Sequence, residues 1–340
     1  MLKNVIITIF LGALLAACTK KAPERAFYYW KTRFTLTSTD SQLLNSLHIQ
    51  KLYVRFFDVD WEDTRGEAVP KGKIAFNSRV NKDLSIIPVV YITNKTFLHV
   101  KGNNVKALAE KVFKQVNLMA DRNNIAYNEF QFDCDWTEST RAAYFAFITE
   151  IKRIAEKQEL VISATIRLHQ VKYFKLTGIP PVDRGMLMYY NMGKIDTVAA
   201  NNSIFNTNDA DKYVAYTRDY PLPMDVVLPT FSWGVQIRKG KVINLLSTLS
   251  MADFENNVNF IPVCNNQFRV KQSFFCKGFY LMQDDIIKVE QTTHELCKQA
   301  AMQVSKKMKS PATVAFYHLD SLNLIHYEPK DFEEIFNYFR

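Results

Sequence analysis

Glu129-Phe130-Gln131-Phe132-Asp133-Cys134-Asp135 alternates polar and apolar residues along its whole length. Successive side chains of a β-strand point to opposite faces. One face therefore carries Gln131, Asp133 and Asp135, and the other carries Phe130, Phe132 and Cys134. Two carboxylates on one face are costly to bury unless they are paired or functional. A barrel strand resolves the conflict: its apolar face packs outer helices, and its acidic face looks inward. At the C-terminal end of such a strand the acids fall where active sites of this fold are built.

Working outward, eight short runs rich in Val, Ile, Tyr and Phe follow one another. They are Phe27–Trp30, Leu52–Phe57, Ile86–Ile92, Glu129–Asp135, Leu160–Arg167, Gly185–Tyr190, Asp225–Thr230 and Thr313–Tyr317. Helix-like stretches separate most of them: Asp40–Leu47, Asn104–Ala120, Glu138–Lys157 and Glu290–Lys307. In the third, the predicted apolar stripe is Ala142, Phe145, Ile148, Ile151 and Ile154, and Thr137 or Ser139 is the expected cap. Alternating strands and helices imply parallel βαβ units, and eight of them close into a (β/α)8 barrel of the TIM type. A doubly wound open sheet is the alternative. It is disfavoured because no Gly-rich phosphate loop follows the first strand. Phe231 to Pro311 is too long for a simple connection. It reads as an enlarged insertion between strands 7 and 8, centred on 231–285, which includes the strand-like Phe274–Met282.

The acids of strand 4 have company on neighbouring strands. Ser163, Thr165 and Arg167 share one face of strand 5, and Arg55 lies between Tyr53 and Phe57 on strand 2. Arg55 and Arg167 are expected to converge on Asp133 or Asp135. Opposite charges lower one carboxylate pKa while like-charge repulsion raises another, which separates an acid from a base. Asp133, Asp135 and Asp58 are the candidate catalytic residues. Substrate contacts are expected from Trp30, Arg55, Asp60, Trp136, Arg167, Tyr190, Asn191, Trp233 and His318, all at or near strand ends. Aromatic faces suit the apolar C–H faces of sugar rings, while fixed polar groups meet their hydroxyls. The expected partner is a polysaccharide or oligosaccharide. No metal site is expected, since no His-Glu-x-x-His motif occurs, and no cofactor, since no Walker loop occurs. A serine-hydrolase elbow, Gly-x-Ser-x-Gly, is also missing.

The N-terminus reads as targeting. Lys3 is followed by an uncharged, mostly apolar run from Val5 to Ala17, which suits a signal h-region and is short for a spanning helix. Leu15-Ala16-Ala17-Cys18 resembles the bacterial lipobox, in which the cysteine is acylated and becomes the new N-terminus. The resemblance implies a signal peptide over 1–17, a lipidated Cys18, a tether over 18–25 and a barrel domain over 26–340. Thr19, where an Asp would resemble an inner-membrane retention signal, favours the outer membrane.

The chain has 340 residues, 48% hydrophobic and 13% aromatic, ample for a barrel-sized core. Its net charge is +9. Nucleic acid is not an expected partner for an exported protein with scattered Lys and Arg; the charge fits association with anionic envelope surfaces or anionic glycans, or simply a soluble surface. Cys264 and Cys276 flank a polar loop and could close a disulfide outside the cytoplasm; Cys134 reads as a small core residue.

Three stretches resemble a bacterial barrel family of unassigned activity that is glycoside-hydrolase-like. They are Leu52-Tyr-Val-Arg-Phe-Phe-Asp-Val-Asp60, Phe130-Gln-Phe-Asp-Cys-Asp-Trp136 with Arg141 and Tyr144, and Met186-Leu-Met-Tyr-Tyr-Asn-Met-Gly193. More distantly, strand 4 is similar to chitinase-like barrels. Their Asp-x-Asp-x-Glu motif supplies its Glu as the acid. Asp133 and Asp135 match the two Asp positions, but Thr137 stands at the Glu position and Glu138 is one residue late. Two readings follow. One is a glycoside hydrolase with Asp135 as proton donor and Asp133 or Asp58 as base, nucleophile or stabiliser. The other is a non-catalytic glycan-binding barrel of an envelope system.

Overall fold

The computed structural model describes residues 22–340 except 78, 198–201, 256 and 265. The expected signal segment and Cys18 lie outside the described residues. Eight strands are β1 (Glu24–Tyr29), β2 (Lys51–Glu62), β3 (Ser85–Ile92), β4 (Glu129–Asp133), β5 (Val161–Arg167), β6 (Arg184–Met188), β7 (Met224–Pro229) and β8 (Thr313–Tyr317). Each pairs in parallel with its neighbour in sequence order, and β8 and β2 both pair with β1, so the sheet closes. This is the expected barrel.

The outward residues explain the helices. Phe130, Phe132 and Cys134 lie in the large core between strands and helices. Asn103–Arg122 (α2, after α1 at Ser38–Ser46) buries Val105, Leu108, Ala109, Val112, Phe113, Val116 and Met119, the i, i+3, i+4, i+7 stripe of a helix on a sheet. Arg141–Ala155 (α3) buries Tyr144, Phe147, Ile148, Ile151 and Ala155. Its stripe is rotated from the expected one, so Phe145 and Ile154 are only partly buried. The expected cap also shifts: the Thr137 backbone N–H donates to the Thr140 hydroxyl at 2.9 Å, and the helix starts after Thr140.

One connection departs from the regular pattern. Between β2 and β3 no described helix forms. Instead β2 runs on past the barrel and pairs antiparallel with Glu67–Lys71. The segment is polar and lacks helical periodicity, so nothing there would bury a helix face.

The insertion after β7 is a five-stranded antiparallel sheet. Its order is 241–246, 232–238, 286–291, 267–270, 260–264. Leu246, Phe254, Phe268, Leu281, Ile287 and Val289 form its own apolar cluster. Two expectations change here. Phe274–Met282 is a hairpin, Phe274–Cys276 with Phe279–Leu281, turned at Lys277 and Gly278, both with positive φ. The helix expected from Glu290 begins at His294 (α5, His294–Ser305, after α4 at Thr207–Val214), capped by Thr293. Ile286–Gln291 is a strand, because Ile287 and Val289 alternate into the insertion's cluster. Pro329–Asn337 (α6) closes the chain. Cys264 and Cys276 are not bonded: Cys264 is exposed on an edge strand, and Cys276 opposes Phe279 within the hairpin.

Candidate functional site

The inward face of β4 behaves as its parity requires. Glu129, Gln131 and Asp133 are all buried inside the barrel. Tyr28 donates to Gln131 Oε1 at 2.5 Å, Gln131 Nε2 donates to the Ser163 hydroxyl at 3.2 Å, and that hydroxyl donates to Glu129 Oε1 at 2.6 Å. Polar groups therefore fill the barrel floor with partners, as burial demands.

Above this floor opens a cleft of about 670 Å³ at the C-terminal mouth. Of the residues expected at the site, Trp30, Arg55, Asp58, Asp133, Asp135, Arg167, Tyr190, Asn191, Trp233 and His318 line it. Two expected residues do not. Trp136 is 1% exposed and stacks on Tyr144 behind β4, where its indole N–H donates to the Thr177 carbonyl at 2.8 Å. Strand parity explains this: the residue after an inward Asp135 faces outward. Asp60 sits on the extension of β2 beyond the rim. It accepts from the Thr93 hydroxyl at 2.8 Å and pairs with Lys71 at 3.1 Å, and so braces the hairpin and the helix capped by Thr93.

The charges are closed in pairs. Arg167 grips Asp135 through both Nε and Nη2, the latter at 2.6 Å to Oδ2. Arg55 does not reach the strand 4 acids. It holds Asp58 through Nε at 2.7 Å and through Nη2. A β-bulge between Arg55 and Phe57 makes this pair. The extra residue turns both Phe56 and Phe57 outward, so Arg55 and Asp58, three apart, share the cleft. Lys31 meets Asp320 at 3.2 Å on the far wall.

Asp133 differs from the other acids. It is 8% exposed and accepts from the Thr165 hydroxyl at 2.6 Å. Burial first, then the nearby Asp135 carboxylate, push its pKa up to about 6. His318 is pushed down to about 4 by burial, so its imidazole is neutral. Its Nδ1 has no hydrogen-bond partner among the described residues.

Aromatic rings form an arc around these groups. Trp30 contacts Tyr317 at 5.7 Å between centroids, Tyr317 stacks on Tyr190 at 5.5 Å, and Phe231 bridges Tyr190 to Trp233 at 5.6 and 5.4 Å. Tyr91, Tyr317, Phe231 and Lys31 belong to the cleft and were not singled out from sequence. Parity could have found Tyr91 and Tyr317, which follow inward Val89 and Ala315 by two residues. Tyr189, the neighbour of Tyr190, faces the helices and donates to Gln303 at 2.9 Å.

At the position where chitinase-like barrels carry glutamate, Thr137 is exposed and lies within hydrogen-bond distance of the Ser139 and Thr140 hydroxyls. Neither Thr137 nor Glu138 lines the cleft.

No protein-family model matches the chain, and no curated protein does. Solved structures share its fold. It is similar to the spore cortex-lytic enzyme SleL of Bacillus megaterium QM B1551, at 14% identity and a TM-score of 0.55, over 95% of this chain and 76% of that one. It is similar to a class V chitinase of Pseudomonas fluorescens Pf-5, at 13% identity and a TM-score of 0.54, over 93% and 99%. A GH18 chitinase of Cycas revoluta, solved in complex with (GlcNAc)4, gives 11% identity and a TM-score of 0.52, over 93% and 100%. The likeness is one of fold: a (β/α)8 barrel.

Proposed function

We propose that this chain is a glycan-binding barrel that holds a segment of oligosaccharide or polysaccharide in its aromatic cleft without chitinase-type hydrolysis. One observation carries the reading. Asp58 and Asp135 are each locked to an arginine, and the position of the motif's glutamate holds a threonine outside the cleft. Glycoside hydrolysis with two carboxylates needs one to hold a proton for the leaving oxygen and another free to attack or to activate water. A carboxylate gripped by a bidentate guanidinium is a poor base and a poor nucleophile. The arc of aromatic rings and the carbohydrate bound by the Cycas barrel support sugar as the ligand.

Asp133 favours a second reading. A carboxyl group whose pKa reaches about 6 holds its proton in mildly acidic solution and keeps a minor protonated fraction near neutral pH, from which it can donate to a leaving group. In that reading Asp133, not Asp135, is the acid, because burial rather than rim position sets the proton affinity.

A glycan-array screen combined with a reducing-sugar release assay separates the two readings, using wild type and Asp133→Asn. Binding without release is the expected result. Release by wild type that Asp133→Asn abolishes would establish the hydrolase instead. Absence of binding to any glycan would sink both.

We also propose that the protein is anchored in the bacterial cell envelope, at the outer membrane, through lipid on Cys18. β1 begins at Glu24, at the end of the barrel opposite the cleft. A tether there leaves the mouth facing away from the lipid, which suits the capture of an external polymer. Cys18→Ala is expected to move the protein from the membrane fraction to the soluble one. Unchanged membrane association would refute the anchor.

A further inference from the structure

Trp233 stands in the wall of the cleft, and its indole N–H needs an acceptor if the ring is to lie among apolar neighbours. Glu290 supplies one: Nε1 donates to Oε2 at 2.9 Å. Glu290 is 1% exposed. The same oxygen accepts from the Ser203 backbone N–H at 3.1 Å and from the Ser203 hydroxyl. The other oxygen meets Lys288 Nζ at 2.6 Å, and Lys288, itself buried, also reaches Asp196 at 3.8 Å. Beside this group, Asn202 Nδ2 donates to the Gln291 carbonyl at 2.9 Å. Ser203 leads back to the cleft: Gly193 N–H donates to its carbonyl at 3.2 Å, and Asn191 N–H donates to that of Ile204 at 2.7 Å.

We propose that Glu290 is a positioning residue, whose buried carboxylate clamps the Trp233 ring and the loop carrying Tyr190 and Asn191 into one arrangement of the cleft wall. It touches no ligand. It joins the first and last strands of the insertion to the loop after β6, so the insertion and the barrel present a single preformed surface. Pre-organisation of this kind raises affinity by removing the cost of ordering the wall on binding. A buried ion pair is weak evidence for stability, because desolvation offsets its attraction, and it is better explained by the geometry it fixes. The effect on affinity rests on the glycan-binding reading. The effect on Trp233 does not.

The test uses the whole protein labelled with 5-fluorotryptophan and read by fluorine NMR, with the Trp233 signal assigned from Trp233→Phe. Glu290→Gln keeps the shape but removes the charge and turns one acceptor into a donor. The Trp233 signal is expected to shift or broaden, while those of Trp30, Trp61 and Trp136 stay in place. Isothermal titration with the probe N-acetylchitotetraose is expected to weaken about tenfold in Glu290→Gln and in Trp233→Phe, and no further in the double variant. A fixed Trp233 signal overturns the proposal whether or not the probe binds. So does an unchanged probe affinity in Glu290→Gln where wild type binds it. If wild type binds no probe, the glycan reading fails and the fluorine signal alone decides the clamp. If Glu290→Gln does not fold, Ser203→Ala, which leaves the ion pair intact, takes its place, and an unmoved Trp233 signal there again overturns the clamp.

Discussion

Replacing Asp133 by Asn should stabilise this protein at neutral pH and do little in acid. In the folded barrel the Asp133 pKa is pushed from the ordinary 3.8 up to about 6, first by burial and then by the Asp135 carboxylate. Between those two values the folded state holds this proton and the unfolded chain does not. Stability attributable to this group therefore falls as pH rises from about 4 to 6 and stays low above that. At 1.36 kcal/mol per pKa unit, the ionised carboxylate disfavours folding by about 3 kcal/mol at pH 7.5. Near pH 4 the same linkage leaves only about 0.5 kcal/mol. Asn is close in shape, its oxygen can still accept from the Thr165 hydroxyl, and its amide can face Asp135.

The assay is urea unfolding of wild type and Asp133→Asn at pH 7.5 and pH 4. The expected gain is about 1–3 kcal/mol at the higher pH, shrinking to a few tenths at the lower. The difference between the two proteins must be used, not the wild-type profile, because Asp225 at the barrel floor is also raised to about 6 by burial and titrates in the same range. A variant less stable than wild type at pH 7.5, or a gain equal at both pH values, would refute the electrostatic argument. A residue that lowers stability without a charge partner is retained for something other than folding, and sites of function are where proteins keep such residues.

Trp30→Ala removes one end of the aromatic arc and should weaken retention of a bound glycan in affinity electrophoresis about tenfold, or about 1.4 kcal/mol; an unchanged mobility shift would remove Trp30 from the binding surface. Trp136→Phe should lower stability by about 1 kcal/mol through loss of the buried hydrogen bond to Thr177, with glycan binding intact; lost binding in a stably folded variant would return Trp136 to the site. Arg167→Met and Asp135→Asn break the same partly exposed pair. Each should cost about 1 kcal/mol in urea unfolding, and the double variant should cost less than their sum; strict additivity would mean the two side chains act independently.

How much of this could be read from the chain follows from how far each signal reaches. Composition and strand parity are local, so the eight strands were legible as runs rich in Val, Ile, Tyr and Phe, and the inward acids of β4 and the inward Ser163, Thr165 and Arg167 from alternation. The same rule, applied one residue further, places Trp136 behind the sheet; adjacency to Asp135 suggested the cleft instead. The bulge at Phe56 was not legible, since one extra residue in a strand leaves no mark in composition, yet it decides that Arg55 meets Asp58 and not the acids of β4. The insertion was visible as excess length but not as a sheet. Its strands are short and polar on one face, and Ile286–Gln291 runs into helix-forming sequence. The clamp of Trp233 on Glu290 joins residues 57 apart, and only tertiary packing brings them together.

Charge shows the same gap between chain and site. A net charge of +9 suggested an anionic envelope surface, an anionic glycan or simply a soluble exterior. In the cleft, however, Lys31 is matched by Asp320, Arg55 by Asp58 and Arg167 by Asp135. His318 is neutral, and Asp133 carries at most one negative charge. The described lining thus offers no uncompensated cation to a sulfate or a uronate. An anionic sugar would have to break a guanidinium–carboxylate pair and leave the displaced Asp beside its own charge. A neutral sugar can instead hydrogen-bond the outer edges of the same pairs and stack on the rings between them. Binding by a neutral glycan should therefore change little between low and high salt, because only exposed, unpaired charges are strongly screened. A steep loss of glycan affinity with added salt would show that the surface lysines, and not this cleft, hold the ligand.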